Sequence, residues 1–269
     1  MAMTPLTTAE ILTSPLTALR HVASRREINP GFLASPKELA AARAKMRAAP
    51  KPLDRPLVVI GGWRSPPLLT EACRARLMRL VGSGPSLSIS RPFASRIEMF
   101  AESVMHTIQK RFSAGELATG VDVVAISMGG LVSRYAAAHL DLPIVRLFTL
   151  GTPHRGAKLA RLVRVDRASR DMKPGSDWLA ALNAPAHHNP EHPQELVPYA
   201  HLNDTWVGAT NSAPPGMTPL WTAGTHTMSH FLLMSDPLLI ADIARRLRNE
   251  PPIATCEPDQ PDAPPPPMD

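Results

Sequence analysis

The residue with the clearest chemical context is Ser127, which lies in the run VDVVAISMGGLVSRY. A predicted strand leads directly into this serine and a predicted helix follows it, with Ala125 and Gly129 two positions to either side. A tight turn from strand to helix strains the serine backbone, so small residues must flank it. The turn places the hydroxyl at the amino end of a helix, where N–H groups and the helix dipole favour developing negative charge. The pattern predicts a nucleophilic Ser127, with the amide of Met128 donating to an oxyanion.

The elements that must position this serine alternate along the chain between strands and helices. Short apolar runs predict strands, and longer segments with apolar residues at helical spacing predict helices. This alternation predicts an α/β fold, with a mainly parallel sheet that is covered by helices on both faces. The predicted strands are 57–62, 87–90, 121–126, 143–151, 195–202 and 218–224, and the main helices are 66–82, 96–112, 129–140 and 236–248.

Four further stretches have a pattern that goes beyond secondary structure. They are GGW at 61–63, LFTLGTPHRGA at 147–157, HLNDTWVGATNSA at 201–213 and HFLLMSDPLLIADIARRL at 230–247. With the turn at Ser127, they resemble the α/β-hydrolase fold and, within it, bacterial lipases and esterases, including those with AxSxG in place of GxSxG. The resemblance extends from about Leu57 to about Leu247 and implies the α/β-hydrolase fold for this part of the chain.

The resemblance also implies a set of site residues. Ser127, Asp204 and His230 follow the chain order serine, acid, histidine that this fold requires. His230 would take the serine proton and later protonate the leaving alcohol, while Asp204 would orient His230 and stabilise its imidazolium. GGW lies where the family has an oxyanion loop, so the resemblance implies Trp63 N–H as the second donor, with Gly62 allowing close approach.

Two of these assignments have rivals in the sequence. His226 lies four residues before His230, but His230 is nearer the last helix and we interpret His226 as a loop or pocket histidine. Asp236 follows His230 and is interpreted as the cap of that helix. Three other aspartates occur in polar contexts typical of solvated helix faces, namely Asp166, Asp171 and Asp177.

Two clusters of polar residues suggest other functions. The first has metal-ligand spacing, but one proline inside it and one directly after it forbid a regular helix, so we interpret it as a surface loop and predict no metal site. It contains His187, His188, Glu191 and His192, with Pro190 and Pro193. We predict no cofactor of any kind.

The second cluster is a row of cations that recurs every three residues from Arg155 to Lys173. On a helix each step of three residues turns back by about 60°, so consecutive members share a flank while the full row spirals around the helix. We interpret the row as a solvated helix face beside the active site. The alternative is part of a lid that contacts an anionic substrate, membrane or polymer surface. The members are Arg155, Lys158, Arg161, Arg164, Arg167, Arg170 and Lys173, and the predicted lid or cap insertion is 156–195.

Composition limits the class of protein. The 269 residues include 30 prolines, 44% are hydrophobic and the net charge is +6, which suits a globular protein with many proline-rich connections. No recognition motif or interleaved aromatics accompany the basic charge, so nucleic acid is not an expected partner. We find no secretory signal and expect a cytoplasmic location. Cys73 and Cys256 lie outside any CxxC pair and are expected to be unpaired thiols.

Three zones divide the chain. Residues 1–56 are predicted as an N-terminal extension with no strand, containing a helix from Pro36 to Ala48 that Ser35 and Glu38 cap reciprocally. Residues 57–250 form the predicted catalytic domain. Residues 251–269 contain eight prolines and no Lys or Arg, which predicts a disordered acidic tail.

The resemblance implies an enzyme that hydrolyses carboxylic esters through an acyl-serine intermediate. A thioesterase or an acyltransferase would use the same residues and differ only in the leaving group or acceptor. A third alternative is a catalytically silent hydrolase fold that serves as a binding module. The expected partner is a small-molecule or lipid ester, and the sequence does not indicate an oligomeric state.

Overall fold

A computed structural model of the chain describes residues 32, 34–163, 165–184, 195–224 and 228–254. Its strands are β1 Lys51–Pro52, β2 Leu57–Ile60, β3 Gly82–Ser83, β4 Ser86–Ile89, β5 Val121–Ile126, β6 Ile144–Leu150, β7 Glu195–His201 and β8 Leu220–Thr222. Its α-helices are α1 Pro36–Ala48, α2 Pro67–Val81, α3 Ile97–Arg111, α4 Ala114–Leu117, α5 Met128–His139, α6 Arg167–Asp171, α7 Asp177–Leu182, α8 Ser229–Leu232 and α9 Pro237–Leu247. Three 3-10 turns complete the set, at Leu159–Arg161, Thr210–Ser212 and Leu233–Ser235.

Six of the strands form one sheet in the order β4-β2-β5-β6-β7-β8, and every pairing in it is parallel. β5 lies between β2 and β6, with Ala125 opposite Ile60 on one side and Thr149 on the other. Because the strands are parallel, their carboxyl ends meet at one edge, which we call the carboxyl edge. The loops that follow the strands therefore converge there.

Alternate residues of β5 face two separate apolar layers. Val124 and Ile126 belong to the layer that includes side chains of α1, α2 and α9, whereas Val123 and Ala125 belong to the layer of α3 and α5. All six residues of the strand are buried, Asp122 among them, as expected for a central parallel strand. The predicted α/β class, with helices on both faces of a mainly parallel sheet, is confirmed.

The helix predicted in the N-terminal zone begins and ends at the expected residues. Ser35 Oγ accepts from the amide of Glu38 at 3.3 Å, and the Glu38 carboxylate accepts from the amide of Ser35 at 2.8 Å. The expectation of no strand in this zone is wrong, because β1 pairs with β3 in a small parallel sheet. Arg248 donates to the carbonyl of Ala49 at 2.8 Å, which ties α1 to the end of α9. Residues 1–31 lie outside the described part of the chain.

The last helix is also capped as predicted. Asp236 Oδ1 accepts from the amides of Leu238 and Leu239 at 2.8 and 3.2 Å. Beyond α9, Ala254 is buried and its amide donates to Asp242 Oδ1 at 2.7 Å. The rest of the predicted tail, residues 255–269, is outside the described residues. Among the helices that are described, none combines the length and apolar character needed to cross a membrane.

The row of cations does not form the single helix face that we predicted. The segment is divided into the 3-10 turn Leu159–Arg161 and the short helix α6, because Asp166 caps a new helix that starts at Arg167. Arg155 is only partly exposed, and its guanidinium donates to the carbonyls of Pro214 and Met217 at 2.8 and 3.0 Å. Arg164 is outside the described residues.

Candidate active site

Ser127 lies at the carboxyl edge, in the turn between β5 and α5, and its backbone has the strain that the sequence predicts. Its φ of 52° and ψ of −126° fall outside the regions that non-glycine residues ordinarily occupy. Its amide donates to the carbonyl of Leu150 at 2.8 Å, and Thr152 Oγ1 donates to its carbonyl at 2.8 Å. A Cβ at Gly129 would lie 2.6 Å from the carbonyl oxygen of Ile60, so only glycine fits there.

The structure brings Ser127, His230 and Asp204 into one hydrogen-bonded chain. His230 Nε2 lies 3.0 Å from Ser127 Oγ, and His230 Nδ1 lies 2.7 Å from Asp204 Oδ2. Ser127 and Asp204 lie in the turns after β5 and β7, and His230 lies in the short helix α8 after β8, 103 residues from the serine. This arrangement allows a proton to pass from the hydroxyl to the imidazole while the carboxylate fixes the ring.

Asp204 is held by backbone groups as well as by the imidazole. Its Oδ1 accepts from the amides of Trp206 and Val207 at 2.9 and 3.0 Å, and its side chain is fully buried. Burial by itself would raise the pKa of Asp204, but the hydrogen bond and charge of His230 and these two amides hold it below its ordinary value of 3.8. Asp204 is therefore a carboxylate at neutral pH.

Two aromatic rings fix the plane of His230. Trp206 stacks on the imidazole with centroids 5.8 Å apart and an interplanar angle of 7°, and Phe231 meets it edge-on at 5.7 Å. The sequence pattern gave neither residue a role in orienting the histidine. The signal for Trp206 is its place two residues after the acid, where its own amide also contacts Asp204. The rival His226 lies outside the described residues.

The competing aspartates have other partners. Asp236 caps α9 as predicted, and its Oδ2 also lies 3.1 Å from His201 Nε2. Asp177 is exposed in the first turn of α7, as expected. Asp166 and Asp171 are not on a solvated face: their side chains are only 11% and 14% exposed. Their polar neighbours suggested a solvated face, but α6 packs against the body of the protein through the buried Ala168 and Ser169.

The loop at 61–63 lies over Ser127. A Cβ at Gly62 would be 2.8 Å from Ser127 Cβ and 3.5 Å from Ser127 Oγ, so this loop approaches the nucleophile as closely as glycine permits. Met128 begins α5, and the first four amides of a helix have no acceptor within it. The amides of Trp63 and Met128 stay the predicted oxyanion donors.

A pocket beside Ser127 is lined mainly by apolar side chains. It has an empty volume of about 760 Å³, which includes the solvent at its mouth. Ser127 and His230 line it, and so do parts of the segment after β6. The apolar side chains include Leu69, Leu159, Val163, Met172, Phe231 and Met234. Such a pocket fits the hydrocarbon part of a substrate whose polar group reaches the serine.

The described residues contain no cluster of three or more His, Cys, Asp or Glu side chains placed to hold a metal ion. The histidines of the sequence cluster at His187, His188 and His192 lie in the part of the chain that is not described. Cys73 is a buried free thiol, and Cys256 also lies outside the described residues.

Comparisons with known proteins give short sequence matches and long structural ones. No protein-family model matches the chain. Triacylglycerol lipases of Pseudarthrobacter phenanthrenivorans and Burkholderia plantarii are each 42% identical to it over 55 residues. That stretch is 20% of this chain and only 17% and 15% of the two lipases, so the matches span less than a fifth of either relative.

Solved structures cover far more of the chain. A Bacillus licheniformis lipase in its mature form matches 74% of this chain and 94% of its own, with a TM-score of 0.55 and 17% identity. Aspergillus fumigatus lipase B matches 82% of this chain and 59% of its own, with a TM-score of 0.59 and 14% identity. At these identities the likeness establishes the architecture, and the chemistry has to be argued from the site.

Proposed function

Because this chain has the α/β-hydrolase fold, we propose that it hydrolyses carboxylic esters through an acyl intermediate on Ser127. The observation that carries the proposal is the hydrogen-bonded chain from Ser127 Oγ through His230 to Asp204, with contacts of 3.0 and 2.7 Å beside an apolar pocket. A serine, a base and a buried acid in this geometry are what acyl transfer requires.

The proposed reaction has two halves. In the first, Ser127 Oγ attacks the ester carbonyl carbon while its proton moves to His230 Nε2, and the carbonyl oxygen becomes an oxyanion that the amides of Met128 and Trp63 stabilise. The bond to the alcohol then breaks, and His230 returns the proton to the departing oxygen. In the second half, water attacks the acyl carbon in the same way and releases the acid. His230 carries each of these protons and Asp204 stays ionised beside it, so the reaction requires no cofactor.

The pocket favours an ester with an apolar acyl or alcohol part. Its walls offer mainly hydrocarbon contacts, and burying each methylene there contributes about 0.8 kcal/mol. The names of the two sequence relatives, both triacylglycerol lipases, agree with a lipid ester. Thioesters and acyl transfer to an alcohol remain the alternatives, since they use the same serine and histidine.

A fluorophosphonate probe tests the chemistry directly, because it reacts only with an activated serine. We expect labelling of the wild type and none of Ser127→Ala. Ser133→Ala is the matched control: Ser133 lies in α5, the helix that follows Ser127, and donates its hydroxyl to the carbonyl of Gly129, so its loss should leave labelling intact. Folded wild type that fails to label would favour the silent binding module.

A series of p-nitrophenyl esters with increasing acyl length then measures the substrate class. We expect kcat/KM to rise with chain length until the pocket is full. Parallel assays with an acyl thioester and with an added alcohol acceptor separate the three reactions. A higher kcat/KM for the thioester than for the ester would replace the proposed substrate. Formation of a new ester from the added alcohol would identify a transferase.

We also propose that the carboxyl edge binds an anionic lipid surface. All eight large hydrophobic side chains that are exposed in the described residues follow the carboxyl end of a strand of the main sheet, and so border the loops of the active site. They are Leu68, Leu69, Phe93, Met99, Leu162, Val165, Met228 and Leu232. Cations of the segment that begins at Arg155 lie at the same edge, which gives charge complementarity to an anionic surface.

Co-sedimentation with vesicles tests this surface. We expect binding to phosphatidylglycerol vesicles that exceeds binding to phosphatidylcholine vesicles and weakens as salt rises. Neutralising Arg161 and Arg167 together should weaken it, whereas neutralising Lys45 and Arg47 on α1, which carry the same charge, should not. Equal binding of both double variants would reject the carboxyl edge as the contact.

A further inference from the structure

A hydrogen bond links the oxyanion loop to the segment that covers the pocket. Trp63 Nε1 donates to Asp166 Oδ2 at 3.0 Å, across 103 residues of sequence. We propose that Asp166 is a positioning residue, which holds Trp63 over Ser127 by accepting this indole N–H. The inference rests on the proposed function, because it assigns a task in the same reaction to a residue outside the serine, histidine and acid.

Asp166 is fixed before it meets the indole. Its Oδ1 accepts from the amide of Ser169 at 2.8 Å, and Ser169 Oγ lies 3.2 Å from the amide of Asp166, so the two residues cap α6 reciprocally. The helix is tied down in turn, because the amide of Ala168 donates to the carbonyl of Ser95 at 2.8 Å. One carboxylate oxygen therefore holds the helix, and the other is left for Trp63.

The acceptor is also charged. Burial acts to raise the pKa of Asp166, but the amide of Ser169, the indole of Trp63 and the charge of Arg64 together hold it below the ordinary value. An ionised acceptor makes a stronger hydrogen bond than a neutral one. The contact is therefore a charge-assisted hydrogen bond between the loop at 61–64 and the cap of α6.

The loop at 61–64 needs such a constraint. Arg64 has a φ of 53°, a conformation that persists only where surrounding contacts impose it. Its guanidinium lies 4.9 Å from the centroid of the Trp63 ring and 3.7 Å from Asp166 Oδ2. On the other side of Trp63, Gly62 lies against Ser127. Losing the indole contact would let this strained turn relax and would move the Trp63 amide away from the oxyanion.

The expected kinetic effect is specific. An oxyanion donor acts mainly in the transition state, so its displacement lowers kcat and leaves KM little changed. Removing such a donor entirely costs about 10²- to 10³-fold in kcat, and we expect about tenfold for a donor that is displaced but present. The pocket wall should persist, since Met172 and Ala157 remain joined by the backbone bond from the amide of Ala157.

Two substitutions and their combination test the proposal. Trp63→Phe removes the indole N–H and keeps an aromatic ring and the backbone amide. Asp166→Ser keeps an N-cap for α6, since serine caps about as well as aspartate, but its single oxygen cannot also reach the indole. We expect each variant to lose about tenfold in kcat with KM within about threefold, and the double variant to lose no more than either alone.

The outcomes separate this inference from the proposed function. A folded wild type that neither hydrolyses esters nor labels at Ser127 would refute both the proposed function and the positioning role of Asp166. Active wild type with losses that multiply in the double variant, or with single variants of unchanged kcat, would overturn the positioning role alone. A purely structural role of Asp166 would appear as a lower melting temperature with normal kcat in the folded protein. As a second readout, inhibition by an alkyl trifluoromethyl ketone, whose adduct carries an oxyanion, should weaken in proportion to kcat/KM.

Discussion

Gly62→Ala is the sharpest single test of how the oxyanion loop meets the nucleophile. Gly62 has no positive φ, so an alanine is compatible with its backbone and the effect of the substitution is purely steric. The added Cβ would lie 2.8 Å from Ser127 Cβ and 3.1 Å from the carbonyl oxygen of Ile126. Neither neighbour is the mobile end of a long side chain, so the loop or the serine must move.

The size of the displacement follows from the contact distance. Carbon atoms pack at about 3.5–4.0 Å, so a contact of 2.8 Å requires a shift of at least about 0.7 Å. A misplacement of about 1 Å in a reacting group costs on the order of a hundredfold in rate. We therefore expect kcat/KM of Gly62→Ala to fall by between about tenfold and a hundredfold, with a loss of about 1–3 kcal/mol in the free energy of unfolding.

The assay is steady-state hydrolysis of a p-nitrophenyl ester, with urea unfolding of the same preparations. Gly115→Ala is the matched control, because a Cβ at Gly115 meets nothing within 4 Å. Gly115 lies in α4, where alanine should add up to about 1 kcal/mol of stability and leave activity unchanged. Gly62→Ala with wild-type kcat/KM in the folded state would refute the close approach of this loop to Ser127.

Three more predictions follow from buried charges and the buried thiol. Asp204→Asn should lower kcat by about 10⁴-fold. Because the folded-state pKa of Asp204 lies below 3.8, the stabilisation from its charge is present at neutral pH and is lost as pH falls through that pKa. In urea titrations the difference in unfolding free energy between wild type and Asp204→Asn should therefore shrink below about pH 4, and a constant difference would contradict the lowered pKa. In a Cys256→Ser background, Cys73 should resist Ellman's reagent at pH 8 until urea unfolds the protein, since burial raises the pKa of its thiol to about 12. Rapid labelling of the native protein would show instead that the thiol is accessible. Arg146→Met should reduce the free energy of unfolding by about 3–5 kcal/mol in urea titrations, because it leaves the fully buried Asp122 without the guanidinium that contacts both its oxygens. A change under about 1 kcal/mol would show that Arg55, whose guanidinium lies 3.9 Å from Asp122 Oδ1, replaces the lost partner.

Features with local causes could be predicted from the sequence. The bounds of α1 and the cap of α9 are correct because a cap is decided by residues two or three positions apart. The strained turn at Ser127 is equally local, since the residues that must be small lie two positions away. The six strands of the main sheet are predicted within about two residues of their bounds, because apolar runs and the glycines that end them are properties of short segments. The two-residue strands β1 and β3 contain no such run and were missed.

Features that depend on packing between distant segments could not be predicted in the same way. Nothing in the spacing of Asp204 and His230 shows that their side chains meet; their assignment needed the resemblance of the flanking stretches. The row of cations suggested one helix because charges recur at a regular interval, yet regular charge does not specify a helix without an apolar stripe to bury. The segment instead breaks where Asp166 caps a second helix.

Asp166 shows why polar context is a poor guide near an active site. The sequence around it is rich in Arg, Asp and Ser, which is typical of a solvated surface, and each of these side chains could equally serve as a partner in a buried contact. Whether such a side chain is solvated or makes a buried contact depends on which residues of other segments lie beside it. Trp63, from a loop 103 residues earlier, lies beside Asp166 because the parallel sheet directs both loops to one edge. A fold that gathers the loops after its strands converts polar loop residues into partners for one another. Aspartates at this edge other than the predicted catalytic acid are therefore the first candidates for residues that position the other groups of the site.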